Sequence, residues 1–420
     1  MFTTWGALTG LAIAIILIIR KATPAYALVF GAFAGGLLGG GGLAETVSAM
    51  ISGTQSMMPS VLRILTSGVL AGALVKTGSA ERIADSIVRM LGTRFALVAI
   101  ALAAMIVTAV GVFVDIAVIT VAPVALAVGK RAGLPVSSLL LAMVGGGKAG
   151  NVISPNPNTI AAADAFKVDL TALMMKNIVP ALCALAVTIL LSSWLARKKG
   201  NDAAMPGTVE GGDGNVNSLP NVASAVAGPL VVVALLALRP ICGFSVDPLI
   251  ALPAGGLVSI IVCGRWRNIA EYCEFGLSKV IGVSILLIGT GAVAGIVKNS
   301  GLNADMISVL NACHLPAFAL APLSSILLSG ATASTTAGVT IASQTFSGAL
   351  AQAGIPALSA AAMLHAGGTI FDALPHGSFF HATAGAVGMS VKDRLKLFPY
   401  GTLVGATTTV VSVIVYLLGF

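Results

Sequence analysis

Charged residues are so sparse in this chain that nearly every stretch of about 20 residues between them is apolar enough to cross a bilayer. Only 9% of the 420 residues are charged and 57% are hydrophobic, whereas an ordinary globular chain is about 25% charged. A soluble fold is excluded, and the chain reads as an all-α polytopic membrane protein. The alternating pattern of an outer-membrane barrel is missing. Glycine, at 49 residues, suits close backbone approach and broken helices inside a membrane bundle. The net charge of +8 would suggest nucleic acid in a soluble protein. Here the basic residues lie between apolar segments and act as topology signals, so no nucleic-acid partner is implied. Cys183, Cys242, Cys263, Cys273 and Cys313 lack the spacing of a zinc or cluster site, so neither metal nor cofactor is implied.

The polar stretch 197–221, rich in Gly, Asn, Pro and charge, reads as a cytoplasmic linker dividing the chain into two apolar halves, 1–196 and 222–420. The halves carry a weak internal repeat. Ala34-Gly35-Gly36-Leu37 echoes Ala254-Gly255-Gly256-Leu257, the segment from Ala71 to Gly78 echoes that from Ala294 to Gly301, and Gly146-Gly147 aligns with Gly367-Gly368. In the first half the spans fall at about 6–19, 24–42, 60–75, 136–165 and 178–196. The run 95–129 is interrupted at Gly111 to Asp115 and flanked by Arg94 and Lys130-Arg131, which predicts a re-entrant hairpin. Its counterpart is 316–352, with a turn near Ala331 to Gly338. Five crossings per half invert the second repeat relative to the first, the architecture of many secondary transporters.

The run from Leu8 to Ile19 is followed, not preceded, by Arg20-Lys21, the reverse of a secretory signal, and is expected to be a retained helix. With the N-terminus outside, 17 of the 23 basic residues, Arg394 among them, fall on the cytoplasmic side, as the positive-inside rule requires. A multi-pass protein of a bacterial-type inner membrane with both termini outside is expected.

Two segments concentrate the chemistry. Gly145-Gly146-Gly147-Lys148 through Pro155-Asn156-Pro157 cannot form an unbroken helix, and the helix is expected to open there within 136–165. His365 through Ser378, within 356–388, is the matching opening. Paired interruptions in both halves point to a transporter's binding site. Freed amides and half-helix N-termini there suit a carboxylate, and freed carbonyls a cation. Asp115 and Asp372 are the acidic residues at membrane depth and Lys148 is the embedded cation, so each needs a partner or a role. Lys148 either captures an anionic substrate or pairs with Asp115 or Asp372. Asp115, Asp372 and His376 are candidates for proton coupling. Asn151, Ser154, Asn156, Ser334, Thr335, Thr336, Thr369 and His376 are candidate substrate ligands, although Ser and Thr also bond their own helix backbone and Asn also serves turns. Asp164, Lys167 and Asp169 read as a solvated helix end.

Through Gly146-Gly147 to Pro157, Leu374-Pro375-His376 and the two hairpins, nearly the whole chain resembles the gluconate permease family. These are proton-coupled carriers of the ion transporter superfamily, which also holds sodium-dependent dicarboxylate carriers. The resemblance implies a homodimer in which scaffold helices hold the dimer contact while hairpins and broken helices move as an elevator-like transport domain. The first broken helix departs from the family pattern Pro-His-Pro-Gly-Pro, having Pro155-Asn156-Pro157-Asn158-Thr159.

The function expected is therefore import of a small organic anion, such as gluconate or another hydroxy acid, with protons. Sodium coupling is the nearest alternative, because carbonyls in opened helices serve it without titratable groups. A membrane-embedded enzyme using Asp372 and His376 as an acid/base pair on a lipid is a third reading, and it has no nucleophile motif or metal set to support it. A passive channel would show neither accumulation nor saturation.

Overall fold

The computed structural model describes residues 2–198, 219–244, 246–302, 304–305, 308, 312 and 316–420. Most of the linker predicted at 197–221 lies outside the described residues. No strand occurs among those described. The first half contains α1 (Thr4–Ile19), α2 (Pro24–Leu38), α3 (Leu43–Gln55), α4 (Met58–Lys76), α5 (Ser79–Leu91), α6 (Ala96–Ala109), α7 (Val114–Ala132), α8 (Val136–Asn151), α9 (Pro157–Phe166), α10 (Leu170–Lys176) and α11 (Ile178–Arg197). The second contains α12 (Val222–Cys242), α13 (Pro248–Val262), α14 (Ile269–Lys298), α15 (Leu320–Thr332), α16 (Thr335–Gln352), α17 (Ala357–Gly367), α18 (Ser378–Gly385), α19 (Val391–Lys396) and α20 (Phe398–Leu417).

Four segments, Met58–Lys76, Ile178–Arg197, Trp266–Lys298 and Val391–Leu417, are each long and apolar enough to cross a membrane. A fifth passage is available if α5 and Thr93–Ala109, bent by 105° at Gly92, act together. Helix α5 buries Ile83, Ala84 and Val88 at helical spacing. Its opposite face carries charge, including the Asp85–Arg89 pair at 2.8 Å, so it is amphipathic rather than spanning. The span predicted at 24–42 ends earlier, at Leu38. Four consecutive glycines follow, and Gly40 takes φ +88°, a turn that an L side chain resists.

Both predicted interruptions between paired helices are present, with tighter bounds. The first occupies 110–113, where Gly111 has φ +110°, so Asp115 lies in the first turn of α7 rather than in the break. The second is only Ala333 and Ser334, between α15 and α16.

Helix packing does not follow the division into halves. Helices α1 to α4 pack with α12, α13 and α14, whereas α6 to α11 pack with α15 to α18 and α20. The two sets meet along a seam where α14 touches α16 and α4 touches α9. Glycine permits the closest approaches: a Cβ on Gly10 would lie 2.8 Å from the Gly35 Cα, and one on Gly53 would lie 2.6 Å from the Gly295 Cα. With no solvent-driven force between spans, such close packing is a main source of association in lipid.

The same explanation narrows one expectation: the opening expected between Gly145 and Pro157 falls after Asn151, not at the glycines. Helix α8 runs unbroken through Gly145, Gly146 and Gly147 to Asn151. Glycine costs a helix about 1 kcal/mol relative to alanine, but it keeps its backbone donor. A Cβ on Gly146 would overlap the Ala101 carbonyl of α6, one on Gly150 the Met105 carbonyl, and one on Gly145 the Thr188 side chain of α11. Gly146→Ala is therefore expected to destabilise by about 1–3 kcal/mol through overpacking, read as a lower melting temperature in detergent. Gly42→Ala, which faces open space, is the control, and equal melting of the two variants would refute the packing role.

Candidate functional site

Helix α8 stops where the sequence places Pro155 and Pro157 beyond it, and the opening proper covers 152–156. Asn156 caps α9: its Oδ1 accepts from the backbone N–H of Asn158 at 2.9 Å and of Thr159 at 3.2 Å. Pro157 occupies the first helical position, where no N–H is needed. The Asn156 Nδ2 donates to Asn151 Oδ1 at 2.6 Å and to the Asn151 carbonyl at 2.9 Å, and Asn158 Nδ2 donates to the same Oδ1 at 3.1 Å. The three asparagines thus splint the two half-helices together. Thr159 donates to the Ser154 carbonyl at 2.6 Å, while the Ser154 hydroxyl is buried without a partner among the described residues.

The matching opening lies between α17 and α18, at 368–377. Asp372 is 4% exposed and Lys148 is 1% exposed. They form an ion pair at 2.6 Å, which decides the partner that the sequence left open between Asp115 and Asp372. The Lys148 ammonium also donates to the Thr369 carbonyl at 2.7 Å and to the Gly401 carbonyl of α20 at 3.2 Å. The other Asp372 oxygen accepts from the Thr335 hydroxyl at 2.8 Å, at the start of α16. One charged pair therefore ties α8, the second opening, the tip between α15 and α16, and α20. An ion pair removed from water is retained only where further hydrogen bonds satisfy both partners.

The remaining candidates take lesser positions. Ser334 caps α16, accepting from the Ala337 N–H at 3.3 Å, and Thr336 is half-buried in the first turn. The Thr369 hydroxyl donates to the Ala366 carbonyl at 2.7 Å, within its own helix end. His376 is exposed, with Nε2 3.3 Å from the Ala331 carbonyl. Asp115 is half-buried and is not among the partners of Lys148; its neighbour Val114 meets Gly147.

Two charged groups escaped the sequence reading. Arg394, counted on the cytoplasmic side, is 2% exposed, donates to Thr383 Oγ1 at 3.3 Å and lies over the Phe380 ring. Asp164 is not a solvated helix end. It accepts from Ser60 Oγ at 2.6 Å and pairs with Arg63 of α4. Arg63 also makes a two-pronged contact with Asp247, at 3.0 and 2.6 Å. Asp247 in turn caps α13 through the Leu249 N–H at 2.8 Å. The Arg63 guanidinium holds the Asp247 carboxyl below its ordinary pKa, chiefly by hydrogen bonding. The expected topology leaves Arg63 among the minority of basic residues outside the cytoplasmic set, a signal that it has another role.

Residues 3–419 match the family model described as GntP family permease. An uncharacterised transporter of Haemophilus influenzae is 51% identical over 411 residues, covering 98% of this chain and 97% of that one. A gluconate permease of Zymomonas mobilis is 21% identical over 360 residues, with 80% of each chain covered. Among solved structures, the YdaH transporter of Alcanivorax borkumensis superposes with a TM-score of 0.69 over 90% of each chain at 18% identity, a likeness of fold.

Proposed function

This chain belongs to the GntP permease family and is a multi-pass membrane transporter rather than an enzyme, and we propose that it imports a small organic anion with protons. Gluconate or another hydroxycarboxylate is the substrate class. The single observation that carries this reading is the Lys148–Asp372 pair, which joins the broken helix of one half to that of the other.

In this reading, protonation of Asp372 removes the countercharge of Lys148, and the freed ammonium takes the substrate carboxylate. Loss of the proton on the other side restores the pair and expels the anion. Proton and anion are thereby obliged to travel together. The Ser154 and Thr336 hydroxyls remain for substrate, while Asn151 and Asn156 hold the opening in shape and Ser334 and Thr335 shape the tip. His376 and Asp115 are the further groups able to relay the proton. The second helix set, carrying both openings, slides against the first as an elevator, within a homodimer in the inner membrane. The two halves act as inverted repeats, with both termini outside.

Sodium coupling is less well supported for one geometric reason. The Asp372 carboxylate and the Thr369 and Gly401 carbonyls are the oxygen donors such an ion would take, and the tethered ammonium already occupies them.

The test is uptake of labelled gluconate, and of a panel of other hydroxy acids, into proteoliposomes under an inward proton gradient and then an inward sodium gradient. Accumulation that needs the proton gradient and collapses with an uncoupler is expected. Accumulation driven by sodium alone, or equilibration without accumulation, would overturn proton symport.

A further inference from the structure

A cavity lies away from the charged pair, in the seam between the two helix sets. Its volume is about 540 Å³, within the range of small-molecule sites. It is walled on one side by α3, α4 and α14 and on the other by α9 and α16, and Lys167, Lys298, Ser52, Gln344, Thr345 and Ser347 are among its lining residues. Lys167 and Lys298 are exposed and neither has an acidic partner among the described residues. Asp164 also borders the cavity, but its charge is taken by Arg63 and Ser60. Thr345 is 2% exposed, and its hydroxyl has no partner among the described residues. A cation beside a helix C-terminus is favoured by the helix dipole, which accounts for each lysine separately. It accounts neither for their convergence on one cavity nor for an unsatisfied buried hydroxyl in its wall.

We propose that this cavity is a capture site for a hydroxylated carboxylate, in which Lys167 and Lys298 attract the anion and Thr345, Gln344 and Ser347 bond its hydroxyls. Thr345 lies ten residues along α16 from Thr335, a distance of about 15 Å at the helical rise. The two sites therefore share one rigid helix without overlapping. The predicted topology puts this end of the seam outside the cell, on the side from which substrate arrives. The proposal rests on the transport reading only for the identity of the anion.

The test reads the cavity's charge without requiring transport. In a cysteine-free background, Ser347→Cys is reacted with an anionic and with a cationic methanethiosulfonate reagent, each rate being normalised to a free thiol. The anionic reagent is expected to react about tenfold faster, in keeping with two focused charges. Lys167→Gln with Lys298→Gln should abolish that preference, and gluconate should slow the reaction only while the lysines are present. No charge preference, or one that survives loss of both lysines, would overturn the site. The same reactions in vesicles with and without phosphatidylglycerol identify the occupant. Protection by that lipid and not by gluconate or other hydroxy acids would assign the cavity to a lipid headgroup and overturn the capture role. Failure of gluconate accumulation with the charge preference intact would count against the transport reading and leave the anion site standing.

Discussion

Asp372→Asn is expected to abolish proton-driven uptake and to lower stability by about 3–5 kcal/mol, the usual cost of breaking a buried ion pair from one side. The substitution leaves the Lys148 ammonium, 1% exposed, with neutral acceptors alone, the Thr369 and Gly401 carbonyls and the new amide oxygen, and none supplies a countercharge. Lys148→Gln strands the carboxylate instead, with Thr335 as its remaining donor. The double variant removes both charges and should recover most of the lost melting temperature, since a buried pair replaced as a unit is often close to neutral. Uptake should not recover, because the proton carrier and the carboxylate ligand are both gone. A double variant that is stable and still accumulates substrate under a proton gradient would remove the pair from the mechanism. Single variants as stable as the parent would contradict the burial and the pairing together.

Arg63→Met should have the next largest effect. Arg63 holds Asp164 on α9 and Asp247 at the head of α13 from one position on α4. The three side chains retain 27%, 17% and 41% exposure, so solvent screens part of the loss, and a cost of about 2–3 kcal/mol is expected. The Asp247 contact contributes a pH dependence of known sign. Asp247 has a folded pKa below its unfolded value, so its stabilisation is present above the unfolded pKa of about 4 and is lost as pH falls through the folded one. The difference in melting temperature between parent and variant should therefore shrink below about pH 4. A difference that is constant from pH 3 to 7 would show that Arg63 acts by packing alone. The contact also bears on movement. The elevator movement proposed above would break Arg63–Asp164, which crosses the seam, and can leave Arg63–Asp247 intact. Asp164→Asn should accordingly change the uptake rate more than the apparent affinity.

The helical class, the paired openings and the tip near Ser334 were legible because sparse charge, proline and glycine leave local signatures. Helix α8 shows the limit of that reading. Three glycines and two prolines predict a break between Gly145 and Pro157, and it falls at the prolines; the neighbours that make the glycines necessary, Ala101 and Thr188, lie on helices whose proximity no local pattern reveals. Arg394 shows a second limit. Counting basic residues places a loop on one side of a membrane but does not register a guanidinium that folds back over Phe380. The need of Lys148 for a partner followed from burial alone. The choice of Asp372 over Asp115 followed only from the way the two openings face each other, and the splint of Asn151, Asn156 and Asn158 was likewise invisible until both half-helices were in place.

The interleaving of the halves bears on how the protein is made. The carbonyl of Gly401 that holds Lys148 lies 253 residues further along the chain, and Asp372 follows Lys148 at almost as great a distance. During synthesis the N-terminal helices α1 to α4 must wait for α12 to α14. The lysine-bearing helix must then sit in the bilayer without its counterion until nearly the whole chain has left the ribosome. For that interval the nascent protein carries an unpaired charge at membrane depth, and it depends on water or on the insertion machinery to shelter it. A ribosome stalled before α20 would present this unfinished state, and a membrane quality-control protease could recognise an incomplete copy by an unpaired ammonium at membrane depth.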